Sequence, residues 1–221
     1  MDIILWIVIA AIILIIAVVL VRTFTFGEKP QVAPDTPLPE VNAERFVQSL
    51  SEAVQCQTIS YGEGTIPDGS TLEQLQTVLK KRYPLVHQSL HLEKVNQYGL
   101  LYTWHGSNPD LKPVLFSAHQ DVVPVDPSTL NEWTRQPFGG EVADGYLWGR
   151  GSLDMKCQLV GVLDAVETLL AGGMKPERTI YFAFGHDEEV GGIQGAGHIA
   201  ALLKERGIQL ADKAGASLKE I

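Results

Sequence analysis

The chain has 221 residues, 45% of them hydrophobic, and sets 17 Lys and Arg against 26 Asp and Glu for a formal charge of −9. An acidic balance with no basic run excludes nucleic acid as a partner, because a nucleic-acid footprint needs clustered Lys and Arg. Two cysteines, Cys56 and Cys157, cannot build the disulfide framework of a small secreted domain.

The mean hydropathy is slightly positive, and one segment accounts for it. Nineteen consecutive apolar residues run from Ile3 to Val21. At about 1.5 Å per residue they reach roughly 28 Å, the thickness of a bilayer core, so residues 1–22 read as a transmembrane anchor. Asp2 precedes the run, and Arg22-Thr23-Phe24-Thr25-Phe26 follows it in place of a small-x-small cleavage site, which favours an uncleaved anchor over a signal peptide. Arg22 and Lys29 would by the positive-inside rule hold the rest of the chain in the cytoplasm. Pro30, Pro34, Pro37 and Pro39 make residues 23–40 an extended tether, and residues 41–221 suffice for one domain.

Within that domain Ala43, Phe46, Val47, Leu50 and Val54 recur at helical spacing behind Asn42, a residue suited to an N-cap. Ser70-Thr71-Leu72-Glu73 has the form of a capping box and opens a second helix, expected to stop near Tyr83 because Pro84 follows. Strand-like runs come next around Leu90 and Leu92 and over Leu100–Trp104, the second closed by a turn at Gly106–Asp110. Val114-Leu115-Phe116 predicts a strand that ends at His119, and Asp144-Gly145 a hairpin turn before Tyr146-Leu147-Trp148. A helix follows over Lys156–Leu170, a buried-type strand over Thr179–Phe184, and a helix over Gly195–Lys204. Helices interleaved with apolar strands specify an α/β fold, a mixed or largely parallel sheet sandwiched by helices.

Ligand and catalytic groups of such sheets collect at the carboxyl ends of strands. Three groups occupy such places: His119-Gln120-Asp121, Gly149 to Lys156 with Asp154 at the mouth of a helix, and Gly185-His186-Asp187-Glu188-Glu189. Singly, each has a plain reading: a hydrogen-bonded loop histidine, an N-cap aspartate, a solvated helix start. The ordered set points instead to metal chemistry, with Asp121 suited to orient the His119 ring and Gly191-Gly192 allowing the chain to turn after the glutamates. Cys157 reads as a helix residue, not a ligand, and His87, His91, His105 and His198 as surface or partly buried residues with no assigned role.

The runs Ser117-Ala118-His119-Gln120-Asp121-Val122-Val123-Pro124, Trp133 with Pro137-Phe138, Gly149-Arg150-Gly151 through Asp154-Met155-Lys156, and Gly185 through Glu189 resemble the metallopeptidase family of aminoacylase, carboxypeptidase S and the N-acyl-amino-acid hydrolases. The resemblance is strongest to the carboxypeptidase S-like branch and spans about residues 43–211. It implies a zinc exopeptidase-like catalytic domain with two zinc ions in the complete site, cobalt or manganese being alternatives, that cleaves a peptide or an N-acyl amino acid. Residue by residue it implies His119 as ligand to one metal, Asp154 as the bridging carboxylate, Glu189 as ligand to the other, Glu188 as general base and Asp121 as orienter of His119. It also implies a cis peptide after Asp154. Two divalent ions about 3.5–4 Å apart repel and need a carboxylate between them, and the water they acidify needs a base such as Glu188.

The family pattern supplies two further ligands, an acidic residue ending the next strand and a histidine near the carboxyl terminus, and an inserted lid that supports a homodimer in the full-length protein. None is legible between Gly207 and Ile221. The expectation is therefore the amino-terminal part of a single-pass membrane amidohydrolase, truncated, and inactive or very weak as it stands. Its catalytic domain is placed by the resemblance in a lumen or outside the cell, against the two flanking charges. The alternative is a non-catalytic, membrane-tethered binding or regulatory pseudoenzyme, and retention of Glu188 favours the first. A further expectation is an uncovered sheet edge beyond Thr179–Phe184, prone to aggregation.

Overall fold

The amino-terminal apolar run forms helix α1, Asp2–Thr25. Its segment Ile3–Thr25 is long and apolar enough to cross a membrane. The helix extends three residues beyond the expected end at 22, and the Thr23 and Thr25 hydroxyls donate back along it to the Val19 and Val21 carbonyls at 2.9 and 2.7 Å. The computed structural model describes residues 2–25, 41–62 and 65–211. Residues 26–40 of the expected tether and the tail 212–221 lie outside them. The chain divides into two units, Met1–Glu40 and Val41–Ile221.

The second unit opens with α2, Ala43–Gln55, where the Asn42 side chain accepts from the Arg45 N–H as expected of an N-cap. Helix α3, Gly69–Arg82, starts one residue before the anticipated capping box. Its cap is Asp68, whose Oδ1 accepts from both the N–H and the hydroxyl of Ser70 at 2.9 Å, so Ser70 donates and the box is not used. Pro84 does end α3, yet it also begins a short helix, α4, Pro84–Ser89, which the sequence reading lacked. The orphan N–H groups of Leu85 and Val86 donate to the Glu167 carboxylate at 3.1 and 2.9 Å, a partner 82 and 81 residues away.

Strands β1, His91–Val95, and β2, Gly99–Trp104, form an antiparallel hairpin; β3 is Val114–His119. A separate hairpin of β4, Glu141–Ala143, and β5, Tyr146–Trp148, turns through Asp144 and Gly145 at φ of 55° and 81°, the left-handed pair that a tight hairpin turn requires. Helix α5, Lys156–Ala171, β6, Ile180–Gly185, and α6, His198–Glu205, complete the unit.

The main sheet has the order β1-β2-β6-β3, with β6 antiparallel to β2 and parallel to β3, so the sheet is mixed. Alternation along the strands divides the core. Leu100, Tyr102, Trp104, Ile180, Phe182 and Phe184 pack with α2, α3 and α5, while Leu101 and Ala183 meet Ile199 and Leu203 of α6. The expected open edge beyond β6 is corrected by this order: β6 is paired on both sides, and among the described residues the edges are β1 and β3, with Phe116 of β3 41% exposed.

Candidate metal centre

Parallel pairing places His119 opposite Gly185, so the loops after β3 and β6 leave the sheet at the same end. Gln120, fully buried, clasps the two ends together. Its backbone N–H donates to Gly185 O at 2.8 Å, and its side-chain amide donates to Tyr98 O and Phe184 O, both at 2.9 Å. The His119 ring is thereby held at the sheet edge with 4% exposure.

His119 Nδ1 lies 3.0 Å from the Asp121 carbonyl oxygen and 3.3 Å from its Oδ1. A carbonyl can only accept, so Nδ1 carries the proton and Nε2 is left to bind outward. Asp121 thus orients the imidazole through its backbone as well as its carboxylate. That carboxylate also accepts from the Ser60 hydroxyl at 2.7 Å and from the N–H groups of Glu188 and Glu189 at 3.1 Å each. Burial pushes the Asp121 pKa up, but the bonds from His119, Ser60 and the backbone outweigh it and hold the carboxyl below its usual range.

After β6 the chain makes a single 3-10 turn over Glu188–Val190 and reverses through Gly191 and Gly192 at φ of 108° and 70°. The buried Asp187 carboxylate locks this reversal by accepting from Gln194 N–H and Gly195 N–H, both at 2.7 Å. Gly195 cannot carry a side chain, since a Cβ there would lie 2.5 Å from His186 N. The Asp154 loop comes from the other side. Asp154–Met155 is a cis peptide, and Met155, not Asp154, stands at the N-cap of α5 without a side-chain capping bond, so the plain capping role for Asp154 does not hold.

The three arms converge. Donor atoms of His119, Asp154 and Glu189 all lie within 4.8 Å of one another. His119 Nε2 is 3.2 Å from Asp154 Oδ1 and 3.6 Å from Glu188 Oε2. The Asp154 and Glu188 side chains are 78% and 58% exposed, so the cluster opens to solvent on one side. Burial opposes charge on His119, yet the bonds and charge of Asp121, with that of Glu188, raise its pKa to about 9. Burial raises Glu189 as well; the neighbouring Asp154, Asp121 and Glu188 charges reinforce this against the opposing charge of His119. The carboxylate contributions to both shifts are those of a site of negative potential, where a cation is favoured. One imidazole nitrogen and two carboxylates, with the far imidazole nitrogen held by a carbonyl, fit a divalent metal ion.

Every residue singled out from the sequence therefore gathers here: His119, Asp121, Asp154, Glu188 and Glu189. Gln120, Ser60 and Asp187 support the site as well, roles that the sequence does not reveal. Asp187 stood in plain view within an acidic run, but only the distant Gln194 and Gly195 reveal its task. Cys157 is a helix residue whose thiol donates to Leu153 O at 3.0 Å. His91, His105 and His198 are exposed, and His87 is partly buried between the Tyr83 carbonyl and the Tyr102 hydroxyl.

Residues 115–218 match the model of peptidase family M20/M25/M40. Carboxypeptidase S of Saccharomyces cerevisiae is 44% identical over 167 residues, 72% of this chain and 29% of its own length. An N-fatty-acyl-amino acid synthase/hydrolase of Danio rerio is 34% identical over 209 residues, 90% of this chain and 40% of its own. The chain thus spans well under half the length of these relatives. Among solved structures, an M20 family metallo-carboxypeptidase from Sulfolobus solfataricus superposes with a TM-score of 0.58 at 22% identity, covering 79% of this chain and 38% of that one. The fold, the ordered motifs and these matches agree: the chain belongs to the M20 family of metallopeptidases.

Proposed function

We propose that the chain is the metal-binding portion of a membrane-anchored amidohydrolase or exopeptidase that cleaves the amide bond of a peptide or an N-acyl amino acid. The observation that carries this reading is the convergence of His119, Asp154 and Glu189 with Glu188 beside them. His119, Asp154 and Glu189 serve as ligands, and one nitrogen with two oxygens favours zinc, two ions being held in the complete site. When bound, the ion supplies Lewis acidity to the scissile carbonyl and to the attacking water. Glu188 accepts the proton of that water and returns it to the departing amine nitrogen. Asp121 keeps the His119 tautomer fixed throughout.

Three donors match what one catalytic zinc ion takes, so a second ion calls for ligands beyond the described residues. For that reason the chain by itself is expected to hydrolyse little or nothing. Residues 1–22 act as a single-pass anchor and 23–40 as the tether of a domain starting at 41, held on the lumenal or extracytoplasmic side. Protease protection in sealed vesicles tests that side.

The decisive assay uses the longest native protein from the source membrane alongside the 221-residue chain, both with zinc and an N-acyl amino acid or dipeptide. The native enzyme should hydrolyse the substrate and lose the activity in Glu188→Gln while still binding metal. An unimpaired Glu188→Gln enzyme removes the base assignment. Brisk turnover by the 221-residue chain removes the expectation of inactivity.

A further inference from the structure

Lys156 has no part in that chemistry, yet its side chain is fully buried. Its Nζ donates to Ala53 O at 3.0 Å and to Cys56 O at 2.6 Å, and among the described residues no carboxylate pairs with it. Burying an ammonium without a counter-ion costs several kcal/mol. The carbonyls at the carboxyl end of α2 offset part of that cost, since a helix carries partial negative charge there. A methionine would fill the same volume without any such cost, so packing does not account for the charge.

The connections of Lys156 account for it. Its backbone N–H donates to Gly151 O at 3.0 Å, and its stem runs beneath Gly151, where a Cβ would lie 3.4 Å from Lys156 Cδ. Two residues upstream stands Asp154. On the other side, the chain leaving α2 at Cys56 is the segment that secures the His119 arm: the Thr58 hydroxyl donates to Gln120 O at 2.6 Å, Thr58 O accepts from Val122 N–H at 2.9 Å, and the Ser60 hydroxyl donates to Asp121. The ammonium therefore hydrogen-bonds the start of α5 to the end of α2, alongside the packing of Val54 against Gly149 and of Val122 against Gly151.

We propose that Lys156 is a positioning residue of the metal centre, tying the end of α2 to the start of α5 and so fixing Asp154 against the Thr58–Ser60 segment that holds Asp121 and His119. The proposal rests on the metal-centre reading above. It differs from a purely structural role in what it expects of the metal. In the 221-residue chain in detergent, with Co²⁺ as the probe, Lys156→Met should weaken binding about 10–100-fold, the usual cost of losing an outer-shell support, and alter the cobalt absorption spectrum. Glu167→Gln serves as control, because it weakens a buried contact at α4 away from the site; it should lower the melting temperature and leave cobalt affinity unchanged.

Equal affinity in Lys156→Met and the unaltered chain overturns the proposal. An equal loss in Glu167→Gln also overturns it, since affinity would then merely follow stability. No cobalt binding by the unaltered chain overturns the metal-centre reading itself, a result distinct from equal affinities. Hydrogen exchange on the unaltered chain gives a readout that needs no variant: cobalt should slow exchange of the amides at 56–59, and protection confined to the three ligand loops refutes the coupling.

Discussion

Replacing Asp187 with alanine removes the acceptor of two 2.7 Å bonds from Gln194 N–H and Gly195 N–H. Both bonds involve a charged partner at 1% exposure, so each contributes about 1.5–3 kcal/mol, and water replaces neither readily. Two orphaned N–H groups would cost about 3–6 kcal/mol, from which the relief of a buried carboxylate subtracts some, leaving about 3 kcal/mol. For a domain of this size that is a fall of about 6–12 °C in melting temperature. Asp187→Asn keeps one acceptor oxygen and should lose about half as much. The assay is urea and thermal unfolding of the chain in detergent, read by tryptophan fluorescence, with cobalt titration of the folded protein. Because Asp187 closes the turn that presents Glu188 and Glu189, cobalt affinity should fall as well. Leu163→Ala, a fully buried α5 residue expected to cost about 2–5 kcal/mol, should lose stability without that fall. A shift under about 2 °C for Asp187→Ala, or equal affinity losses in the two variants, would refute the reasoning.

Three other outcomes are expected. Zinc should stabilise the fold by about 2.7 kcal/mol at one hundred times the dissociation constant, seen as a raised melting temperature that a chelator reverses, and Glu189→Ala should abolish the gain. Burial, helped by Lys80 and opposed by the bond to Tyr83 O, lowers the His87 pKa, so the unfolded chain takes up a proton that the folded chain refuses. His87 therefore favours the fold above its unfolded value of about 6.5, and this contribution is lost as pH falls below it. His119 acts with the opposite sign, its contribution being full below about 6.5 and lost as pH rises through about 9. The unfolding free energy at pH 7.5 minus that at pH 5 should accordingly be smaller, sign included, in His87→Gln than in the unaltered chain; an identical pH slope contradicts the burial argument. Gly106→Ala should destabilise by about 1–3 kcal/mol or more, since its Cβ would sit 2.3 Å from the Arg178 carbonyl carbon and 2.5 Å from Thr179 N, backbone atoms that cannot swing aside. Calorimetry on that variant checks it.

Local chemistry made much of this molecule legible in advance. The apolar run of α1, the Asn42 cap of α2, the Asp144-Gly145 turn and the apolar strand runs are specified by residues within a few positions of one another. The site residues were legible too, because motifs at strand ends place chemistry where a sheet gathers it. Where the reading slipped, the deciding partner was distant. Helix α4 depends on Glu167, the open sheet edge depends on β2 crossing to pair with β6, and Asp121 depends on Ser60, 61 residues away. Lys156 reaches the end of α2 across 100 residues. Periodicity and capping are short-range and leave their mark in the sequence, whereas a buried polar group takes whatever partner the packed fold delivers, and only the tertiary structure selects that partner.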